Sequence, residues 1–179
     1  MEFEVKIKGT RPLLQHKFQD GEFEASSKTR VSVGSHKADD PKDSLYVLEN
    51  GKIYQPSEHI LQSMVKAASN FKIGGKGRKS YRDIIASCVF ITPEAIVHEK
   101  QKWVPDKRSV VIPSTRGRIM RVRPRFDDWS LTFSLSCTED QVDAEALKLI
   151  LDYAGRAVGI GDYRPRFGGF TVTQFKEIV

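Results

Sequence analysis

The sequence predicts an α+β protein of the ferredoxin-like type, an antiparallel four-stranded sheet with two helices on one face. Two observations predict it: short runs alternate between apolar and polar residues, and two amphipathic stretches with helical spacing separate them. The long elements therefore follow the order strand, helix, strand, strand, helix, strand, which is the βαββαβ order of that sandwich. We expect one domain over residues 1–179, with insertions near 19–55 and 95–125.

The first strand is predicted at "FEVKIKG", where Phe3, Val5 and Ile7 alternate with charged residues. Polar residues dominate the stretch that follows, which predicts a long exposed loop. The segment "SLYVLENGKIYQP" then predicts a small hairpin, because Asn50 and Gly51 form a dipeptide typical of tight two-residue turns.

The first helix is predicted over 57–72, with Ser57 as its N-cap and Ile60, Met64 and Phe71 on its apolar face. The apolar run "IIASCVFITP" after it predicts a strand. Between 95 and 125, alternating apolar and basic residues predict one or two hairpins that project from the body.

The clearest strand is "WSLTFSLS", which places Trp129, Leu131, Phe133 and Leu135 on a core face and hydroxyl residues on the other. A serine- and threonine-rich face predicts that this side of the sheet has no helix covering it.

The second helix is predicted over 139–155, opened by a capping box from Thr138 to Gln141 and ended by Gly155. The segment "FTVTQFKEI" predicts the last strand, with Phe170 in the core.

Composition narrows the class of protein. Lysine and arginine exceed aspartate and glutamate by 29 to 23, so the net charge of +6 favours an anionic partner. No apolar run reaches the roughly 20 residues of a membrane span, and the start of the chain does not have the pattern of a signal peptide. Cys88 and Cys137 lie in apolar runs without metal-site spacing, which predicts reduced core cysteines, a cytoplasmic protein, and no metal or cofactor.

Two short motifs are the stretch "YQPSEHI", which leads into the first helix, and the stretch "GIGDYRPRFGG" before the last strand. They resemble motifs of the RAMP superfamily, the repeat-associated mysterious proteins of CRISPR systems. One is the aromatic-x-Pro entry into the first helix, although the family's glycine after the proline is absent here. The other is a glycine-rich loop between the second helix and the last strand, which here contains "DYRPR" where many members are plainer. The sequence is also similar to proteins of phages and mobile elements with a Gly-x-Gly-Asp-x-Arg-Pro ending. The matching positions are Tyr54, Pro56, Ser57 and Ile60 for the first motif and Gly159, Gly161, Gly168 and Gly169 for the second.

That resemblance implies the same ferredoxin-like fold and binding of nucleic acid. Independently, basic residues concentrate in three stretches, 72–82, 100–125 and 156–166, with glycines, prolines and aromatic residues between them. Arginines bind phosphates bidentately, and aromatic rings stack on unpaired bases, so this mixture is typical of single-strand binding. The predicted nucleic-acid-binding residues are Lys76, Arg78, Lys79, Arg116, Arg118, Arg121, Arg123, Tyr163, Arg164, Arg166 and Phe167.

Three functions remain open at this point. The first is a non-catalytic protein that binds single-stranded RNA or DNA, with RNA favoured, and that self-associates or enters a ribonucleoprotein. The second is a metal-independent endoribonuclease, for which His16, beside Arg11 and Lys17, is the only candidate catalytic residue. The third is a protein-interaction subunit, or a mimic of one, in a CRISPR-type assembly.

Overall fold

The computed structural model describes residues 1–17, 40–111, 116–140 and 142–178. A short 3-10 turn spans Pro41–Ser44. The strands are β1 (Glu2–Gly9), β2 (Leu13–Leu14), β3 (Tyr54–Pro56), β4 (Val89–Thr92), β5 (Ala95–Val97), β6 (Val104–Val111), β7 (Arg118–Phe126), β8 (Ser130–Cys137) and β9 (Phe170–Glu177). The α-helices are α1 (Ser57–Ala68), α2 (Arg82–Cys88) and α3 (Ala144–Tyr153).

The main sheet has the strand order β4-β8-β1-β9, and every neighbouring pair is antiparallel. Val5 in β1 lies opposite Phe133 in β8 and Phe175 in β9. The two central strands are thus the first and third of the βαββαβ series, and the second and fourth lie at the edges. This arrangement confirms the predicted α+β fold with an antiparallel sheet.

The core lies between this sheet and the helices. Val5, Ile7, Leu131 and Leu135 on the inner face of the sheet are fully buried, as the alternation predicted. Ser130 lies on the opposite face of β8. It is buried, and its hydroxyl donates to Glu99 Oε2 at 2.6 Å. The outward face is therefore open only in part.

One predicted strand is wrong in its first half. Residues 82–88 form the helix α2, and only Val89–Thr92 are extended. Ile84, Ile85 and Cys88 fit helical spacing as well as a strand, because a short apolar run cannot separate the two periods. The helical form buries Ile85 completely and packs α2 against α1, so tertiary contacts decide the structure.

The second helix begins later than predicted. Asp143 caps α3 by accepting a hydrogen bond from the Ala146 amide at 2.7 Å, whereas Thr138 instead lies against the Cys88 carbonyl oxygen. Gln141, the other half of the predicted capping box, lies outside the described residues. The helix also continues past Gly155 as a wide π-type turn to Val158.

The predicted insertions form smaller sheets. β6 and β7 form a long antiparallel hairpin, which we call the basic hairpin, and β2 pairs with the outer side of β7. The predicted turn at Asn50 and Gly51 is present, with Val47 bridged to Ile53 and a φ of 80° at Gly51. Residues 19–39 of the first insertion lie outside the described residues.

No helix in the described part of the chain combines the length and the apolarity that a membrane crossing requires.

Candidate nucleic-acid interface

The C-terminal loop, residues 159–169, owes its glycines to close packing. A Cβ at Gly161 would collide with Leu13 and the Leu14 carbonyl, one at Gly168 with the Ile160 carbonyl, and one at Gly169 with the Arg11 side chain. The Gly168 amide donates to Pro12 O at 2.8 Å, so it is already used inside the protein. Of the groups that the sequence suggested for phosphate binding, this amide is therefore not free to bind a ligand.

Asp162 connects the C-terminal loop to the basic hairpin. Its carboxylate forms an ion pair with Arg123 of β7, with 2.8 Å between Oδ2 and Nε. Its amide donates to Leu14 O at 2.9 Å, and its Oδ1 accepts from the Tyr163 amide at 2.8 Å. Tyr163 has a φ of 58°, a left-handed conformation that is uncommon for residues other than glycine. Asp162 thus fixes the backbone conformation that presents Tyr163.

An aromatic and cationic contact forms a second connection. The guanidinium carbon of Arg108 in β6 lies 4.7 Å from the centroid of the Phe167 ring. The rings of Phe167 and Tyr163 meet edge to face, with 5.8 Å between centroids. Phe167 is only 8% exposed, whereas Tyr163 is 45% exposed. Of the two predicted stacking residues, Tyr163 is the one that a base can reach.

Asp106 holds two of the arginines of the basic hairpin in place. This buried carboxylate binds Arg108 and also Arg125 Nη1, the latter at 3.1 Å. Hydrogen bonds from Arg108, and then from Arg125, lower the pKa of Asp106 from its usual value. Arg123, one of the predicted binding residues, is itself buried, and its side chain pairs with Asp162 of the C-terminal loop.

The exposed cations of the C-terminal loop and of the basic hairpin lie at two places. Arg164 and Arg166 in the C-terminal loop are exposed, and so are Arg116 and Arg118 at the outer end of the basic hairpin; Arg121 is half-buried. Arg118 pairs with Val111, which follows Arg108 by three residues in β6. Along the strand, Arg118 is therefore about 10 Å from the position of Arg108, which contacts Phe167.

The third predicted basic stretch lies apart. Lys76, Arg78 and Lys79 are exposed in the segment between α1 and α2, after the C-terminal end of α1. The Arg164 charge acts on His59, in the first turn of α1. Since α1 has 12 residues, its two ends are about 18 Å apart. The fold therefore joins two of the three predicted basic stretches, while the third follows the far end of α1.

Sequence reasoning missed a buried polar network beneath the loop. Gln15, Gln55 and His98 are each almost fully buried. The Gln15 side-chain nitrogen lies 2.8 Å from Tyr54 O, 3.0 Å from Gln55 Oε1 and 3.3 Å from His98 Nε2. Burial lowers the pKa of His98 to about 4, so the ring is neutral at pH 7. The three residues are 40 or more positions apart, so no local sequence pattern predicts that they meet.

The network reaches the surface at His59. This histidine is half-buried, and its Nδ1 lies within hydrogen-bonding distance of Gln55 Nε2. Its ring meets Tyr46 edge to face at 5.6 Å, and Tyr46 meets Tyr54 at 5.7 Å. Burial, and secondarily the charge of Arg164, lowers the pKa of His59. We call the rings of Tyr46, Tyr54 and His59 the aromatic cluster.

The candidate catalytic residue His16 is half-buried and lies two residues after the end of β2. Nuclease activity through His16 stays a prediction from the sequence. Within the described ranges, no group of three or more His, Cys, Asp or Glu side chains is arranged to hold a metal ion.

Of the comparisons with known proteins, the one with solved structures bears on the fold. No protein-family model matches the sequence, and no curated protein matches it either. A solved structure similar to this chain is one chain of "Type III-B Cmr-beta bound to cognate target RNA", determined by cryo-EM. The TM-score is 0.54 at 14% identity, covering 98% of this chain and 59% of that one. The fold is therefore shared with a chain from an RNA-bound Cmr structure, as the RAMP resemblance implied.

The protein thus spans a little over half the length of that neighbour. At this identity the similarity establishes the fold, while activity and partners are matters for proposal.

Proposed function

We propose that this protein binds single-stranded nucleic acid without cleaving it, and binds RNA in preference to DNA. The observation that carries the proposal is the double connection between the C-terminal loop and the basic hairpin. The Asp162–Arg123 ion pair and the Arg108–Phe167 contact hold together two cationic segments, and each contact joins residues 39 or more positions apart in sequence. A chain needs no such joining if its arginines serve only as a solvated surface.

The chemistry of the exposed groups favours a single strand. Arg164 and Arg166 follow Tyr163 closely, so two phosphate-binding cations lie beside a ring that can stack on an unpaired base. Base stacking of this kind is tolerant of sequence, and phosphate contacts carry no sequence information. The RNA in the neighbouring Cmr structure supports RNA as the polymer.

A salt titration of binding tests the proposal. Replacing Arg164 and Arg166 by alanine should weaken binding to a fluorescent single-stranded RNA similarly across sequences. Two lost phosphate contacts should flatten the slope of log affinity against log salt by up to about two units. The matched control is Lys66→Ala with Lys148→Ala, which removes two exposed positive charges from α1 and α3.

Equal losses in the two double variants would show that only net charge matters, and would contradict the site. Unchanged binding by the folded arginine variant would contradict the role of the C-terminal loop and leave the basic hairpin as the candidate. A labelled RNA that is cut by the wild type but not by His16→Ala would replace the binding function with the endoribonuclease.

A second function, contact with other protein subunits, is favoured by one observation. Val111 and Met120, near the outer end of the basic hairpin, are 55% and 53% exposed. Exposed apolar side chains beside cations fit a protein interface in a ribonucleoprotein or a CRISPR-type assembly. Light scattering with and without RNA tests it: Val111→Ser with Met120→Ser should reduce the assembled mass while leaving binding to a short oligonucleotide unchanged.

A further inference from the structure

We infer that His59 is a fixed, neutral hydrogen-bond donor that reads one nucleotide of the bound strand, beside the phosphate held by Arg164. The inference rests on the proposed function and deepens it, because it adds the aromatic cluster to the interface. Its starting point is the direction of the hydrogen bonds in the buried network.

The direction is set at Tyr46, whose backbone N–H can only donate. It donates to Gln15 Oε1 at 3.1 Å, so the other end of the Gln15 amide must be its NH₂ group. That NH₂ faces Gln55 at 3.0 Å, so the Gln55 atom there must be the accepting oxygen. The NH₂ group of Gln55 therefore points at His59.

His59 Nδ1 must then accept the hydrogen bond from Gln55. In a neutral imidazole whose Nδ1 accepts, Nε2 carries the proton. Protonating Nδ1 would set two donors against each other, which agrees with the lowered pKa of this ring. His59 is therefore poorly suited to act as a general base, since its basic nitrogen is occupied, and well suited to donate from Nε2.

The C-terminal loop lies next to this donor. The amide of Asp162 binds Leu14 O, and the adjacent Gln15 binds both Tyr46 N and Tyr54 O. These bonds attach the loop that bears Arg164 to the aromatic cluster. The Arg164 charge acts on His59, whose ring contacts the half-buried Tyr46. We therefore expect a nucleotide whose phosphate binds Arg164 to lie near both rings.

The ligand atom that fits is a hydrogen-bond acceptor with little or no charge, either a base carbonyl or a ribose 2′ oxygen. Three short probes of equal length separate these sources: oligo-rU, oligo-dU and an abasic ribose oligomer. His59→Phe keeps an aromatic ring of similar size and removes the donor. Loss of one hydrogen bond should weaken binding about 3- to 10-fold.

A loss for both uridine probes and not for the abasic oligomer identifies the base carbonyl. A loss for both ribose probes and not for oligo-dU identifies the 2′ oxygen. The salt slope should stay unchanged in either case, because no phosphate contact is removed. Equal affinity of His59→Phe and wild type for all three probes would overturn the inference, while the arginine variants would still test the proposed function separately.

Long-range ¹H–¹⁵N spectra of the histidine rings test the same inference without any substitution. The wild-type protein should show His59 protonated at Nε2 alone at pH 7, and its Nε2–H signal should shift when oligo-rU is added. A ring protonated at Nδ1, or an Nε2–H signal that does not move at saturating probe, would overturn it.

Discussion

Two glycine-rich basic segments look alike in the sequence and differ in the structure. The C-terminal loop has four glycines, and the segment 72–80, which we call the α1–α2 loop, has three. A Cβ on Gly161 would collide with the Leu14 carbonyl, and one on Gly168 would collide with the Ile160 carbonyl across the loop. A Cβ added at Gly74, Gly75 or Gly77 would meet nothing within 4 Å. Glycine permits close packing in the first segment and only open turns in the second.

The difference explains which cations can act as a preorganised site. Arg164 and Arg166 belong to a loop held by ion pairing, packing and hydrogen bonds, so under the proposed function we expect their binding to lose less conformational entropy. Lys76, Arg78 and Lys79 are exposed on a loop where a Cβ added at any glycine would meet nothing within 4 Å. Although the two loops are similar in composition, we therefore expect them to contribute unequally to RNA affinity.

Alanine at the two kinds of glycine should give the largest contrast. Gly168→Ala places a Cβ against the Ile160 carbonyl at a φ of 72°, so we expect a loss of about 3 kcal/mol or more in the free energy of unfolding. Gly74→Ala meets open space and should change that free energy by less than about 1 kcal/mol. Urea denaturation measures both, and similar losses at the two positions would remove the distinction.

Acid should lower the stability of the protein through His98, which belongs to the buried network beneath the C-terminal loop. His98 has a pKa of about 4 in the folded protein and about 6.5 when unfolded, so the unfolded chain binds its proton first as pH falls. Its contribution is complete above pH 6.5 and is lost between pH 6.5 and 4. Stability should drop by about 2 kcal/mol from pH 7.5 to 5, beyond the change seen in His98→Phe. An identical pH profile in that variant would contradict the assignment.

Breaking the connection at Asp162 should cost somewhat less. Arg123→Ala leaves the Asp162 carboxylate without its partner, and because that carboxylate is partly exposed we expect a loss of about 1–2 kcal/mol in stability. RNA affinity should fall as well, since Tyr163 loses its support. Arg125→Ala, on the same strand, is the comparison, and an RNA affinity equally reduced there would deny Arg123 a special role.

The smallest effect is expected at the α1–α2 loop. Replacing Lys76, Arg78 and Lys79 by alanine should weaken binding of a short RNA by no more than about threefold, because ordering these side chains offsets most of their attraction. Fluorescence anisotropy at one fixed salt concentration measures it. A loss as large as that of the Arg164 and Arg166 double variant would show that both loops bind the strand equally.

Much of the architecture follows from local pattern. The alternation of Phe3, Val5 and Ile7, and of Leu131, Phe133 and Leu135, predicted two central strands whose inner faces are buried. Helix α2 was not predicted because the short run of apolar residues that begins within it satisfies both helical and extended spacing. The exposed cations of the C-terminal loop were predicted correctly as surface residues. Phe167 is instead buried, and its ring contacts Arg108, 59 positions away.

The sequence by itself determined the order of elements, the faces of the long strands and the excess of basic charge, because periodicity and composition act over neighbouring residues. Only the tertiary structure decided which basic stretches meet, what the glycines pack against, and that Gln15, Gln55 and His98 form one buried network. These features depend on contacts between segments far apart in the chain. Their free energy comes from desolvation and close packing, which no local window of sequence contains.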